Sequence, residues 1–360
     1  MLVTGASGFI GGRLVHRLIA RKGRVACLVR AGSGVNDLRA AGVQLLTGDV
    51  TDRSSVERAL EQSQASTVFH LAGLVRAPRR DDFTRVNVGG IEVVAAACAK
   101  RSVASRGAAS GGRETVLVVV SSLSAAGPCT LDRQRVETDV PAPVSHYGRS
   151  KLAGEQAAAR YAGAVPITIV RPPIVFGPGD RAVLEMFRSI ARHGWHFVPA
   201  RAPGGGDHRV SLVHVDDLVE GLFLAAEKGE RLCEHGLPGA DLPGAGGQGI
   251  YFIAADDNPT YAQLGQAIAA ALDKKPPTVI RLPSPLLRLA GLGGDVMARI
   301  RRRPGSFRGW INSDKITEAL AGSWTCSSAR ARTHLGWSPA ATMADRLHET
   351  ANWYRATGWL

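Results

Sequence analysis

Tyr147 and Lys151 are the residues of this sequence whose types and spacing most directly suggest acid–base chemistry. Residues four apart in a helix lie one above the other on one face, so a phenol and an ammonium would be neighbours here. A phenol has a pKa near ~10, too high for acid–base work at neutral pH, and a neighbouring ammonium lowers that pKa. The spacing alone is common by chance, so its meaning depends on the motifs around it.

A glycine-rich segment, residues 4–11, lies near the beginning of the chain and precedes a helical pattern. Glycines permit a tight turn and close approach to a pyrophosphate, and the helix that follows supplies amide donors and a favourable dipole. The spacing is Gly-x-x-Gly-x-x-Gly, which differs from the Gly-x-Gly-x-x-Gly of ordinary dinucleotide folds. The segment predicts a cofactor-binding turn made by Gly5, Ser7, Gly8, Phe9, Ile10 and Gly11.

Arg30 follows the second predicted strand, at a position where NAD-binding proteins usually carry Asp or Glu for the ribose 2′-hydroxyl. A guanidinium suits a 2′-phosphate and offers a bare diol nothing comparable. Arg30 therefore favours NADP over NAD as the cofactor.

Two more strand ends supply candidate cofactor contacts. Asp49, followed by Val50, could accept a hydrogen bond from the adenine amino group, or could instead cap the next helix. The small residues after the fourth strand would let a sugar–phosphate chain pass close to the backbone. These residues are Leu71, Ala72 and Gly73, and we interpret His70 before them as a core histidine.

Asn87 and a pair of serines are candidates for the catalytic machinery. A polar Asn inside a helix often bonds locally or anchors a water, and we expect Asn87 to orient Lys151 through a water or backbone group. Ser121 and Ser122 end an apolar strand, at the edge where open parallel sheets bind ligands. One of these hydroxyls could bond a substrate carbonyl or alkoxide beside Tyr147.

Short apolar runs alternate with helical patterns through the first two thirds of the chain, which predicts an α/β fold with a parallel sheet covered on both faces. The first strand has only three residues before Thr4, so it is either short or preceded by an upstream translation start. The predicted strands are 1–3, 24–29, 43–46, 67–70, 115–120 and 167–170, and the predicted helices 13–21, 54–61, 83–100 and 147–161.

Beyond about residue 175, helical patterns dominate. We expect a dinucleotide-binding domain over 1–175, to which residues 210–228 return, and a mainly substrate-binding domain over 176–360. Residues 102–113 and 237–249 are rich in small residues and predict surface loops.

The composition is that of a globular protein, with 45% hydrophobic and 21% charged residues among 360. No apolar run reaches membrane-spanning length and no secretory signal is present, and five scattered cysteines suggest a reducing cytoplasm. No group of residues has metal-ligand spacing. The net charge of +13 invites nucleic-acid binding, but the arginines are dispersed and no recognition motif appears, so we expect none.

With these motifs in order, the chain resembles an extended short-chain dehydrogenase/reductase of the nucleotide-sugar epimerase/dehydratase and hydroxysteroid-dehydrogenase kind. The resemblance implies a Rossmann-type doubly wound parallel sheet with a smaller C-terminal α/β substrate domain, and hydride transfer to or from NADP or NAD. It implies Tyr147 as acid/base, Lys151 on the nicotinamide ribose, Asn87 in a proton relay, and Ser122 rather than Ser121. The matching segments are 4–11, Asp49, 70–73, Asn87, 121–122, 147–151, 171–172, 176–179, 214–217 and 335–339, with 172–174, including Pro172 and Ile174, lining the nicotinamide.

Two departures bear on the substrate. Many nucleotide-sugar members carry Tyr where this chain has Ala126, and an Arg that clamps the diphosphate where it has Val210. A nucleotide-sugar-like substrate stays the first expectation, with a steroid-like or other apolar alcohol or ketone as the alternative, and a non-catalytic dinucleotide sensor as a second. Residues 283–303 could form an apolar lid, a weakly membrane-contacting helix or ordinary core, and a homodimer would be typical.

Overall fold

A computed structural model describes residues 1–77, 79–107, 114–200, 207–233, 246–300 and 312–360, with the backbone alone at 105–107 and 297–300. The strands are β1 Leu2–Thr4, β2 Ala26–Val29, β3 Gln44–Thr47, β4 Thr67–His70, β5 Val116–Val120, β6 Ile167–Arg171, β7 Ile174–Phe176, β8 Trp195–Pro199, β9 Leu212–His214, β10 Ile250–Phe252 and β11 Thr278–Leu282. The helices are α1 Phe9–Ala20, α2 Asn36–Ala40, α3 Arg53–Ser63, α4 Arg80–Phe83, α5 Gly90–Gly107, α6 Leu123–Ala126, α7 His146–Ala159, α8 Leu184–His193, α9 Val215–Lys228, α10 Tyr261–Ala271, α11 Ser284–Ile300, α12 Ser313–Leu320 and α13 Met343–Ala356. One π-helical turn, Thr84–Gly89, lies between α4 and α5, and another, Ala331–Leu335, precedes α13.

Seven parallel strands form the central sheet in the order β10-β6-β5-β4-β1-β2-β3. Side chains alternate between the two faces of a strand. In β5, Leu117 and Val119 pack into one hydrophobic cluster and Val118 and Val120 into another on the opposite face. Helices α3 and α5 cover the first face, while α1 and α9 cover the second. The predicted doubly wound, Rossmann-type sheet is confirmed.

The C-terminal part of the chain packs around a third hydrophobic cluster, built largely from α8, α10 and α13. Two short parallel pairs, β7 with β9 and β8 with β11, accompany it. The predicted division placed the residues of β10 in the substrate-binding domain. In the structure, β10 is an edge strand of the central sheet. Among the described residues, no helix has the length and apolar character that crossing a membrane requires.

The predicted loop at 102–113 is wrong for its first six residues, because α5 continues through Gly107. Ser102 is fully buried in that helix, so this small residue serves close packing rather than a turn. Residues 108–113 lie outside the described residues. Of the second predicted loop, 246–249 form a turn and the rest lies outside the described residues.

Candidate active site

Tyr147 and Lys151 lie one turn apart on α7, as their spacing predicts. The helix begins there because the Ser145 hydroxyl accepts a hydrogen bond from the Gly148 amide, which satisfies one of the free donors of the first turn. Both side chains are buried, and the Lys151 ammonium donates to the carbonyl oxygen of Val120 over 2.7 Å. The helix therefore presents the pair to the carboxyl end of β5.

Burial controls the proton affinities of both groups. It raises the pKa of Tyr147 to about 12, a rise opposed by a hydrogen bond with Ser122 and reinforced by the charge of Glu318. Burial also lowers the pKa of Lys151 to about 8, while the carboxylate of Glu155 acts in the opposite direction. The pKa of Tyr147 is therefore raised in this structure, which is opposite to the direction predicted from its spacing to Lys151, because burial disfavours the charged phenolate.

Ser121 and Ser122 point to different environments at the end of β5. The Ser121 hydroxyl donates to Glu155, whose carboxylate also receives Arg171 at 2.9 and 2.5 Å in a pair with no solvent exposure. Ser122 caps the short helix α6 and accepts from the Ser124 amide at 3.1 Å. Ser122 is thus the hydroxyl beside Tyr147, whereas Ser121 belongs to a buried ionic network.

Asn87 lies in the π-helical turn and is fully buried. Its amide nitrogen donates to the Leu74 carbonyl and the Ser150 hydroxyl, each at 2.9 Å, and its oxygen accepts from the Leu74 amide at 2.7 Å. Asn87 therefore fixes the segment after β4 to α7, next to Lys151. Its role in a proton relay stays a prediction.

The glycine-rich turn packs so closely that two positions tolerate no side chain. A Cβ on Gly5, which has φ +73°, would lie 2.6 Å from the Ala72 nitrogen, and one on Gly11 would lie 2.2 Å from the Gly5 oxygen. Gly8 precedes α1 and provides no side-chain cap, and the first turn of the helix carries no acidic residue. The backbone amides at the beginning of α1 are donors suited to an anion. The turn therefore fits the pyrophosphate of a dinucleotide.

Arg30 and Asp49 follow the carboxyl ends of β2 and β3, and their contacts with a cofactor stay predictions. Arg30 is exposed and has no ion-pair partner among the described residues. Asp49 accepts from the amide and hydroxyl of Thr51 at 2.9 and 2.8 Å, so it stabilises a turn. The cap of α3 is instead Asp52, which accepts from Ser54 and Ser55.

The other predicted cofactor contacts surround the same edge of the sheet. The His70 ring bonds the Thr4 hydroxyl at 2.9 Å, and burial lowers its pKa to about 3, as expected for a core histidine. Leu71 and Ala72 hydrogen-bond to Thr4 beside the glycine turn. Residues further along this edge are Ser7, Phe9, Ile10, Val50, Gly73, Pro172 and Ile174, whose contacts with a cofactor stay predictions.

Helix α12 contributes three site residues that the sequence reasoning missed. Asp314 accepts from the amides of His146 and Tyr147 at 2.6 and 3.0 Å, and Glu318 accepts from Ser145 at 2.6 Å. The Lys315 ammonium lies 4.8 Å from the centre of the Tyr147 ring. No local sequence pattern could have indicated these contacts, because the bonded residues lie 167 to 173 positions apart in the sequence.

The segment 214–217 connects helix α1 with helix α13 through ion pairs. Asp216 receives Arg13 of α1 at 2.6 and 2.7 Å, and Asp217 receives Arg346 of α13 at 3.0 and 2.5 Å. His214, Asp216 and Glu349 offer three potential metal-ligand atoms within 4.8 Å of one another. Since Arg13 and Arg346 already neutralise the carboxylates, the cluster is an ion-pair network.

The fold and this site define a dinucleotide-binding enzyme of the Rossmann type. Residues 1–235 match the NAD dependent epimerase/dehydratase family, and the chain belongs to that family. It is an oxidoreductase of the NAD-dependent epimerase/dehydratase type.

Individual relatives act on chemically different molecules. The chain is 30% identical over 358 residues to a ceramide reductase of Caulobacter vibrioides, covering 99% of this chain and 95% of the relative. It is 26% identical over 316 residues to a decarboxylating sterol-4-alpha-carboxylate 3-dehydrogenase of Schizosaccharomyces pombe, covering 86% and 85%. The solved UDP-glucose 4-epimerase of Thermus thermophilus in complex with NAD superposes with a TM-score of 0.69, at 25% identity and 98% coverage of each chain.

Proposed function

We propose that this protein transfers hydride between NADP and the hydroxyl or ketone carbon of a lipid-like substrate, with Tyr147 as acid/base. The observation that carries the proposal is the meeting of Tyr147, Ser122 and Lys151 at the end of β5, on the same sheet edge as the glycine turn. Parallel α/β sheets bind ligands at this edge.

Each residue has a distinct task in the proposed reaction. When bound, the nicotinamide dinucleotide supplies or accepts the hydride at the substrate carbon. Tyr147 donates its proton to the carbonyl oxygen in reduction and takes it back in oxidation, while the Ser122 hydroxyl bonds the same oxygen. Lys151, whose pKa is lowered to about 8 by burial, holds the nicotinamide ribose.

An apolar substrate fits better than a sugar nucleotide. Val210 occupies the position where many nucleotide-sugar enzymes of this kind carry the diphosphate-binding Arg, and its side chain is fully buried. The neighbouring Arg209 is exposed and donates to the Asn258 carbonyl at 2.9 Å. Ala126, at the other departure, is also buried. The ceramide and sterol named for two relatives are likewise lipids.

The cofactor preference and the compartment are proposed on separate grounds. The exposed guanidinium of Arg30 at the end of β2 supports NADP, although the solved epimerase relative was determined with NAD. The five cysteines are free, which is typical of thiols in a reducing cytoplasm.

The test is turnover of three substrate classes, each with NADP(H) and NAD(H). We expect the purified protein to reduce a long-chain 3-ketosphingoid or oxidise a 3-hydroxysterol, and to leave UDP-glucose unchanged. Replacing Tyr147 with Phe should lower kcat at least 100-fold, because it removes the proton donor. Tyr161→Phe is the matched control, since Tyr161 lies just beyond the same helix, and should retain full activity.

Three results would contradict the proposal or its mechanism. Turnover of UDP-glucose alone would establish the nucleotide-sugar alternative, which the 25% identical epimerase favours. Tight dinucleotide binding with no hydride transfer to any of the three classes would indicate the non-catalytic sensor. Near wild-type turnover by Tyr147→Phe would remove the proposed mechanism even if the substrate class is right.

A further inference from the structure

Helix α11 exposes a stripe of large apolar side chains. Leu286, Leu289, Leu292 and Val296 are each between 52% and 66% exposed. Their spacing places them along one side of the helix. On the other side, Leu287 is buried, and a Cβ on Gly291 would lie 3.2 Å from the Ile316 side chain of α12. The helix therefore packs through one face and leaves the more apolar face without a partner among the described residues.

Strand β11 ends two residues before α11 begins, and its partner strand β8 carries two further exposed apolar side chains. Trp195 and Phe197 are each 48% exposed, and their rings pack edge to face at 6.3 Å. The parallel register pairs Phe197 with Ile280 of β11, whose side chain is partly exposed. We call these two aromatic residues and the four of the α11 stripe the apolar surface. It holds six of the ten exposed large hydrophobic side chains among the described residues.

Exposed cations lie on, or next in sequence to, the elements that carry the apolar surface. Arg192 lies in the last turn of α8, three residues before β8 begins. Lys274 and Lys275 precede β11, and Arg288 lies one helical turn before Leu292. No ion pair joins any of the four to another described residue. Asp295 is the single acidic residue in the sequence of α11, and the sequence beyond that helix continues with Arg301, Arg302 and Arg303. The net charge of the chain is +13.

We propose that the apolar surface is a peripheral docking site for an anionic lipid bilayer. Leu and Val side chains would enter the acyl boundary, Trp195 would lie at the level of the headgroups, and the four cations would face anionic phosphates. Each Lys or Arg near such a surface adds electrostatic attraction to the anionic headgroups. A second copy of the chain is the less suitable occupant, because it would bring like charges together.

The position of α11 links this surface to the site. Helix α11 packs on α12, and α12 contacts the beginning of α7 through Asp314 and the Tyr147 ring through Lys315. One helix thus separates the proposed membrane contact from the phenol. The inference deepens the proposed function, on which it rests, because a protein that takes a lipid substrate gains by docking where that lipid is dissolved.

Vesicle sedimentation tests the proposal without substrate or cofactor. We expect the full chain to bind vesicles of phosphatidylcholine mixed with phosphatidylglycerol, and to bind pure phosphatidylcholine much more weakly. The double substitution Leu289→Asp/Leu292→Asp should weaken binding at least tenfold, since it removes two inserted side chains. Lys274→Glu/Lys275→Glu should weaken binding to the anionic vesicles and reduce its salt dependence.

The matched control is Leu131→Asp/Val140→Asp, which changes two exposed apolar residues outside the apolar surface and should leave binding intact. Thermal melting of each variant separates a lost contact from a lost fold. Tyr147→Phe should bind vesicles as the wild type does, so that a failure of the proposed chemistry is distinguishable from a failure of docking. No vesicle binding, equal binding of the α11 variant, or a dimer that the α11 variant converts to monomers would overturn the proposal.

Discussion

At the scale of single residues, neighbours in sequence can have different roles, because adjacent side chains at the end of a strand point to opposite faces of the sheet. Ser121 is committed to the buried Glu155–Arg171 pair, while Ser122 stands beside Tyr147. An isolated buried charge is costly, so Glu155 and Arg171 each require the other. The network keeps a carboxylate near Lys151, where it opposes the lowering of the lysine pKa by burial.

Arg30 gives a prediction at this scale. Replacing Arg30 with Asp should weaken NADP binding at least tenfold and leave NAD binding equal or stronger, because a charge-assisted bond to the 2′-phosphate becomes a repulsion. The measurement is a fluorescence titration of the purified protein with each dinucleotide. Arg39→Asp, at another exposed arginine nearby in the sequence, is the control for net charge and should change neither preference. Tighter NAD binding by the wild type would refute the role of Arg30.

The residue types in the site were largely predictable from the sequence, whereas their partners were not. The spacing of Tyr147 and Lys151 determines that they share a helix face, and the structure places them so. The contacts of Asp314 and Lys315 depend on how two distant helices pack, which local patterns do not encode. The high pKa of the phenol is likewise a consequence of burial, a property of the whole fold.

At the scale of elements, the glycine turn and the π-helical turn perform the positioning. The glycine turn brings backbone amides to the carboxyl end of the sheet. The π-helical turn places Asn87 between the segment after β4 and helix α7. A sequence pattern predicted one continuous helix over 83–100. It could not show the π-helical turn, since one extra residue in a turn changes the hydrophobic period very little.

Gly11 and Gly12 offer a matched test at this scale, as adjacent glycines of α1. A Cβ on Gly11 would lie 2.2 Å from the Gly5 oxygen, whereas one on Gly12 would lie 3.5 Å from the Ala6 oxygen, an ordinary contact. Gly11→Ala should therefore lower the free energy of unfolding by about 1–3 kcal/mol and weaken dinucleotide binding. Gly12→Ala should be neutral or stabilise by up to ~1 kcal/mol. Urea unfolding measures both, and equal effects would show that the turn is not closely packed.

At the scale of the whole molecule, α9 joins regions that are far apart in the sequence. It covers the central sheet, holds α1 through Asp216 and holds the C-terminal segment through Asp217. The Trp337 indole, almost fully buried, also donates to the Asp217 carbonyl at 2.9 Å. We therefore expect the C-terminal helix to unfold cooperatively with the central sheet.

This arrangement predicts different costs for two arginines of α13. Arg346 donates to Asp217, which is 3% exposed, whereas Arg355 pairs with Asp273, which is 75% exposed. Arg346→Met should lower the free energy of unfolding by roughly 3 kcal/mol, because it leaves a buried carboxylate without its cation. Arg355→Met should cost less than about 1 kcal/mol. Urea unfolding followed by circular dichroism should show a single transition for both, with an unchanged m value. A second transition in Arg346→Met would mean that the C-terminal segment unfolds independently of the sheet.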